Sequence, residues 1–134
     1  MTLNIRVIAP DRTVWDANAE EVILPSSTGQ LGILTGHIPL LTALDIGVMR
    51  VRIDKDWVPI VLMGGFAEID NNKITILVNG AEETIDIDIS LAQKNLEEAT
   101  AKLTQAISTK DKIEATQNIR KARARLQATV IIND

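Results

Sequence analysis

The hydrophobic period of this chain changes once, near residue 87, and that change limits the folds open to it. Before it, Met49, Val51 and Ile53 alternate with Arg50 and Arg52, and Ile74, Ile76 and Val78 alternate with Lys73, Thr75 and Leu77. Period two sends one set of side chains inward and the other outward, as in a half-buried strand. After it, Ala92, Leu96, Ala99, Leu103 and Ala106 are spaced 4, 3, 4 and 3, the seam of a helix. Ala115, Ile119, Ala122 and Leu126 repeat the 4, 3, 4 spacing. The chain therefore reads as α+β, mainly β: an N-terminal antiparallel β-sandwich over residues 1–87, then a C-terminal antiparallel two-helix hairpin over 88–134.

Turn residues break the first half at short intervals: Pro10-Asp11, Pro25-Ser26, Asp54-Lys55-Asp56, Asn71-Asn72 and Asn79-Gly80. Short strands with frequent turns favour a sandwich or barrel. Asparagine tolerates positive φ, so Asn71-Asn72 joins two strands as a tight hairpin. Pro59 inside WVPIVLM predicts an edge or bulge, and Gly64-Gly65 a strand bend or close backbone approach. In the second half, Ser90 with Gln93 and Asp111 with Glu114 read as helix-opening capping boxes. Ser108-Thr109-Lys110 reads as the turn between them. Two alanine-rich helices bury little apolar area, so the hairpin is expected to be the least stable part of the chain.

Composition narrows the function classes. With 46% apolar residues the chain can bury a real core, and Ile, Val and Leu must build it, because Trp15, Trp57 and Phe66 are the only aromatics. A net charge of −4 exerts no global pull on nucleic acid. Without cysteine there is neither a disulfide framework nor thiolate chemistry. The N-terminus alternates from the start and has no apolar stretch of signal-peptide type. Residues 25–44 carry no charge, but glycines, Pro39, His37 and hydroxyl residues interrupt them, so membrane association is expected only through a partner. Charge follows the change of period: residues 1–87 hold 6 basic and 12 acidic groups, residues 88–134 hold 8 and 6. Within the second part Arg120, Lys121, Arg123 and Arg125 form a basic run without an acid. Such a run is either a solvated helix face near a C-terminus or a surface for an acidic partner protein.

No constellation for catalysis emerges. His37 is the one histidine; it has no cysteine to activate, and no neighbouring serine or threonine falls in a nucleophile-elbow pattern. No cluster of ligands suggests a metal, and no phosphate loop suggests a nucleotide; no cofactor is expected. The stretch GQLGILTGHIPLL, residues 29–41, combines turn glycines with much aliphatic surface. It is either tucked into the sandwich or presented to a partner. His37 is accordingly either a loop residue bonded to backbone or a partner contact.

These features together resemble the epsilon subunit of the F-type ATP synthase, along the whole chain. The resemblance rests on VIAPDRTVWDANAEEVILPSSTGQLGILTGHIPLLTALDIGVMRVR, then LMGGFAEI, ITILVNGAEE and the alanine-rich hairpin. TVWD, DIGVMRVR and IRKARARLQA are most similar to the chloroplast and cyanobacterial branch.

The resemblance implies a non-catalytic central-stalk subunit, with catalytic sites on other subunits and a peripheral place at the thylakoid membrane. It implies that the sandwich docks on the gamma subunit and the c ring through Gln30, Leu31, Gly32, His37, Pro39 and Leu40. Relatives often carry an acid at position 30, a charge that Gln30 lacks. It also implies that the hairpin opposes ATP hydrolysis when extended, with Arg120, Lys121, Arg123 and Arg125 meeting an acidic segment of the beta subunits. Some bacterial relatives bind ATP through I-D-x-x-R-A; here Asp88 and Ala92 match, but Leu91 replaces the arginine, which implies weak or absent binding. The competing reading is a stand-alone β-sandwich that binds a small ligand and dimerises through its helices; a hydrolase built on His37 ranks below both.

Overall fold

The computed structural model describes residues 2–83 and 87–133, with side chains through residue 129. Among the described residues eight strands precede two helices: β1 (Leu3–Ala9), β2 (Arg12–Ala19), β3 (Glu21–Ser26), β4 (Gly29–Leu34), β5 (Leu40–Ile53), β6 (Asp56–Asp70), β7 (Lys73–Val78), β8 (Ala81–Glu83), α1 (Ile89–Gln105) and α2 (Thr109–Asn133). The sandwich followed by a helical pair agrees with the period change in the sequence. The expected boundary after residue 87 follows directly on 84–86, which lie outside the described residues.

Hydrogen bonds run through the order β2-β1-β7-β6-β5-β3-β4, with β8 paired to β6. The pairs are antiparallel except β1 with β7, which run parallel from Asn4↔Lys73 to Ile8↔Leu77. Two layers arise because β5 and β6, 14 and 15 residues long, bend and serve both. Their pairing keeps one register from Leu40↔Ile69 to Ile53↔Asp56, interrupted where Asp45 and Gly64 leave the ladder between Leu44↔Gly65 and Ile46↔Met63. The expected bend therefore lies at Gly64-Gly65. Both glycines have positive φ, 85° and 151°, and a Cβ on Gly65 would stand 2.0 Å from the Leu77 carbonyl oxygen. The Asn71-Asn72 hairpin also forms, with φ of 51° and 62°, the left-handed pair that a two-residue turn requires. Pro59 stands opposite Arg50, one residue before β8 joins β6 at Ile60.

Leu3, Ile5 and Val7 of β1, Ile74 and Ile76 of β7, and Met49, Val51, Ile60 and Leu62 of the long strands fill the interior. This aliphatic core matches the scarcity of aromatics; Trp15 packs against it from β2 while remaining half-buried. Two expected helix starts shift. Asp88, not Ser90, caps α1: its carboxylate accepts from the Leu91 amide at 3.1 Å. Ser108, not Asp111, caps α2: its hydroxyl accepts from the Asp111 amide at 3.1 Å, so the turn lies just before Thr109. In both cases the polar residue nearer the linker satisfies the first amides, and the second candidate falls inside the helix.

The bend makes a sharp prediction. Gly65→Ala puts a methyl into the Leu77 backbone and forces a residue with a Cβ to positive φ, so it is expected to cost about 2 kcal/mol or more in denaturant unfolding. Gly32→Ala, with open space around the added carbon, should stay within about 0.5 kcal/mol of the parent.

Candidate functional site

Two surfaces carry the sequence-derived candidates. The first is β4 and the loop after it. Alternation along β4 buries Ile33 completely and turns Leu31 toward the core, while Leu34 is 54% exposed. After the turn, Ile38 is 73% exposed, Leu40 packs against the core, and Leu41 is 69% exposed. The aliphatic stretch thus divides: Leu31, Ile33 and Leu40 belong to the sandwich, and Leu34, Ile38 and Leu41 face outward. Gln30, Gly32 and Pro39 are exposed. Gln30 stands at the start of β4 and His37 beyond its end, so the segment does not gather into one spot.

His37 is half-buried, and its Nδ1 donates to the Ile38 carbonyl at 2.7 Å. Its own amide donates to Leu34 at 3.3 Å, and the adjacent Gly36 amide donates to Asn72 Oδ1 at 2.7 Å. These bonds tie the loop to itself and to the β6–β7 turn. Among the described residues no group of three His, Cys, Asp or Glu side chains could hold a metal ion. Gln30 accepts from Arg50 Nη2 at 3.2 Å, a neutral acceptor for a cation.

The second surface is the seat of the hairpin. Sequence reasoning found one seam per helix, and those seams meet: Ala92 and Ala99 of α1 and Ala115, Ile119 and Ala122 of α2 are buried. It missed the opposite side of α2. There Ala124 and Ala128 are buried against Val48 and Val61, with Ile46, Met63 and Ile87 around them. The signal was available in the run IVLM, residues 60–63: Ile60 and Leu62 point into the sandwich, so Val61 and Met63 require cover on the other face.

The basic run is split by this docking. Arg120 and Arg123 are exposed, Lys121 is half-buried, and Arg125 is bound. Its Nε and Nη2 donate to Glu82 Oε2 and Oε1, both at 2.7 Å, the paired geometry of a guanidinium on a carboxylate. This hydrogen bond raises the Arg125 pKa above its ordinary value, against the opposing effect of burial. Glu82 was absent from the sequence candidates because the adjacent acids Glu82 and Glu83 point to opposite faces of a strand, and nothing local pairs one of them with a distant arginine. Arg125 and Glu82 line a cleft with Asp88, Leu91, Ala92 and Asn95, so the residues of the degenerate nucleotide motif do come together. Asp88 is engaged as a helix cap there, and Leu91 is 54% exposed.

Comparison with known proteins decides the family. Residues 2–84 match the model for the ATP synthase delta/epsilon chain β-sandwich domain, and residues 86–129 match that for its long α-helix domain. The chain belongs to the ATP synthase delta/epsilon chain family. It is 77% identical over 128 residues to the chloroplastic ATP synthase epsilon chain of Porphyra purpurea, covering 96% of each chain. It is 63% identical over 131 residues to the ATP synthase epsilon chain of Thermosynechococcus vestitus, covering 96% of this chain and 95% of the other. Its fold superposes with a TM-score of 0.84 on a chain of the Euglena gracilis mitochondrial ATP synthase, at 22% identity, over 96% of this chain and 81% of that one. The resemblance to chloroplast and cyanobacterial epsilon chains thus holds at high identity.

The cap yields a local prediction. Asp88→Ala leaves the first amides of α1 without their acceptor and is expected to cost about 1 kcal/mol, read as faster hydrogen exchange in the first turn of α1.

Proposed function

We propose that the chain is a non-catalytic central-stalk subunit of a proton-translocating ATP synthase, with the catalytic sites on other subunits. The sandwich docks on the gamma subunit and the c ring and couples ring rotation to the catalytic head; the hairpin opposes ATP hydrolysis by bringing its basic helix to an acidic segment of the beta subunits. The observation that carries this reading is the match to both family domains along the chain, at 77% identity to a chloroplastic epsilon chain. The Euglena structure that its fold resembles is an assembly of F1 with a c ring, which supports partners of that kind. Outward-facing Leu34, Ile38 and Leu41 add apolar surface beside His37 for docking on the stalk. No helix among the described residues is long and apolar enough to cross a membrane. Attachment through partners at the periphery of the thylakoid membrane, on the stromal or cytoplasmic face, fits the chloroplastic and cyanobacterial relatives.

The test is ATP hydrolysis by a catalytic head stripped of its own small inhibitory subunit. The full chain should inhibit, a truncation after Ile87 should not, and replacing Arg120, Lys121 and Arg123 with Ala should weaken inhibition about tenfold or more. Equal inhibition by all three moves the activity to the sandwich. Absence of both inhibition and binding favours the ligand-binding module instead.

The same reading implies weak or absent ATP binding at the degenerate motif of the hairpin. Leu91 supplies no cation to the cleft, and Arg125 is already satisfied by Glu82. A calorimetric titration with magnesium-ATP should show no binding in the micromolar range; a micromolar affinity refutes this.

A further inference from the structure

We propose that the ion pair between Glu82 and Arg125 is the latch that holds the helical hairpin on the sandwich, and that Arg125 must leave Glu82 before it can serve the basic run. This rests on the regulatory reading of the hairpin given above.

The geometry places the latch at the end of one row of side chains. Val48 of β5 stands opposite Val61 of β6, and Val61 stands opposite Glu82 of β8. Directly opposed residues in a ladder share a face of the sheet. The row Val48–Val61–Glu82 therefore lies along one face, and α2 covers it: Ala124 and Ala128 meet the two valines, and Arg125 meets the acid. Glu82 belongs to the three-residue strand β8, the last element before the hairpin, so the pair closes at the base of the connection. Both β5 and β6 touch α2, whereas α1 packs chiefly on α2, so release of α2 frees the whole hairpin. No other salt bridge among the described residues joins the hairpin to the sandwich.

Arg125 and Glu82 keep 28% and 33% of their side-chain surface exposed. Water and a competing carboxylate can thus reach the pair without the sheet opening. An acidic partner surface takes Arg125 only by replacing Glu82, which makes the two states of the hairpin mutually exclusive at this residue. Arg120 and Arg123, already exposed, are free to make first contact.

The chain has no cysteine, so spin labels at Lys55→Cys on the sandwich and Ile107→Cys at the hairpin tip report docking in the full-length protein. The parent should give one narrow distance distribution. Glu82→Gln and Arg125→Gln should each raise the undocked fraction about two- to fivefold, and the exchanged pair Glu82→Arg with Arg125→Glu should restore the narrow peak. An unchanged distribution in both single variants, or no rescue in the exchanged pair, overturns the latch. The same proteins, added to the stripped catalytic head, separate this idea from the regulatory reading. Glu82→Gln, which frees Arg125, should inhibit at severalfold lower concentration than the parent, and Arg125→Gln should not. If even the parent fails to inhibit, the regulatory reading falls while the distance data still decide whether the latch exists.

Discussion

Around Val48 and Val61 the β5–β6 pair is buried on both faces, and the remaining architecture follows from that. On one face Met49, Val51, Ile60 and Leu62 close the sandwich core; on the other Val48 and Val61 lie under α2. A strand covered on one side alternates, whereas one covered on both reads as a continuous apolar run. IVLM at 60–63 is such a run, and without cover it would leave a valine and a methionine facing water. The bend at Gly64-Gly65 is the second condition. Past it β6 turns away to pair with β7, and the Leu77 carbonyl comes so close that a side chain cannot fit at Gly65. The hairpin seat and the layered core are thus two consequences of one bent ribbon.

Features set by local chemistry were legible in the sequence, and those set by distant partners were not. The Asn71-Asn72 turn, the Gly64-Gly65 bend and the single seam along each helix depend on neighbours within a few residues, and each appears where the sequence put it. The helix caps were misplaced by two and three residues. Serine and aspartate compete for the same capping role, and the approach of the linker selects between them. The parallel pairing of β1 with β7 joins segments far apart in the chain and has no sequence signature. The second seam of α2 was hidden by its composition. Ala124 and Ala128 look like ordinary helix formers until the sheet beneath them is known.

At the candidate site the same division holds. The loop around His37 carried a strong enough pattern to be singled out, and its aliphatic residues could be named but not sorted. Strand alternation does the sorting: Ile33 goes in and Leu34 goes out, and the same logic separates Leu40 from Leu41. His37 lies bonded to the adjacent carbonyl, an arrangement that fixes the loop. Glu82 was invisible for a different reason. A single carboxylate gains meaning only from the guanidinium brought to it by a helix 43 positions later.

That long-range pair explains how docking can be specific and still reversible. Ala124 and Ala128 present one methyl group each, on the order of 1.5 kcal/mol of apolar burial together, and covering Val48 and Val61 adds to that. The partly exposed ion pair contributes less, about 1 kcal/mol or below. The described residues that α2 sets in this cluster are both alanines, small enough to seat closely without locking the helix in place. Leucines at 124 and 128 would bury more area but would also push the helix off the sheet, because the contact is close only while the residues are small. A small-residue seam therefore sets the distance at which Arg125 reaches Glu82 with both nitrogens at 2.7 Å. The apolar contact supplies proximity and the larger share of the docking energy, and the ion pair supplies register. Two states of a helix exchange readily when a few kcal/mol separate them, so loss of the ion pair alone shifts the balance without abolishing the seat.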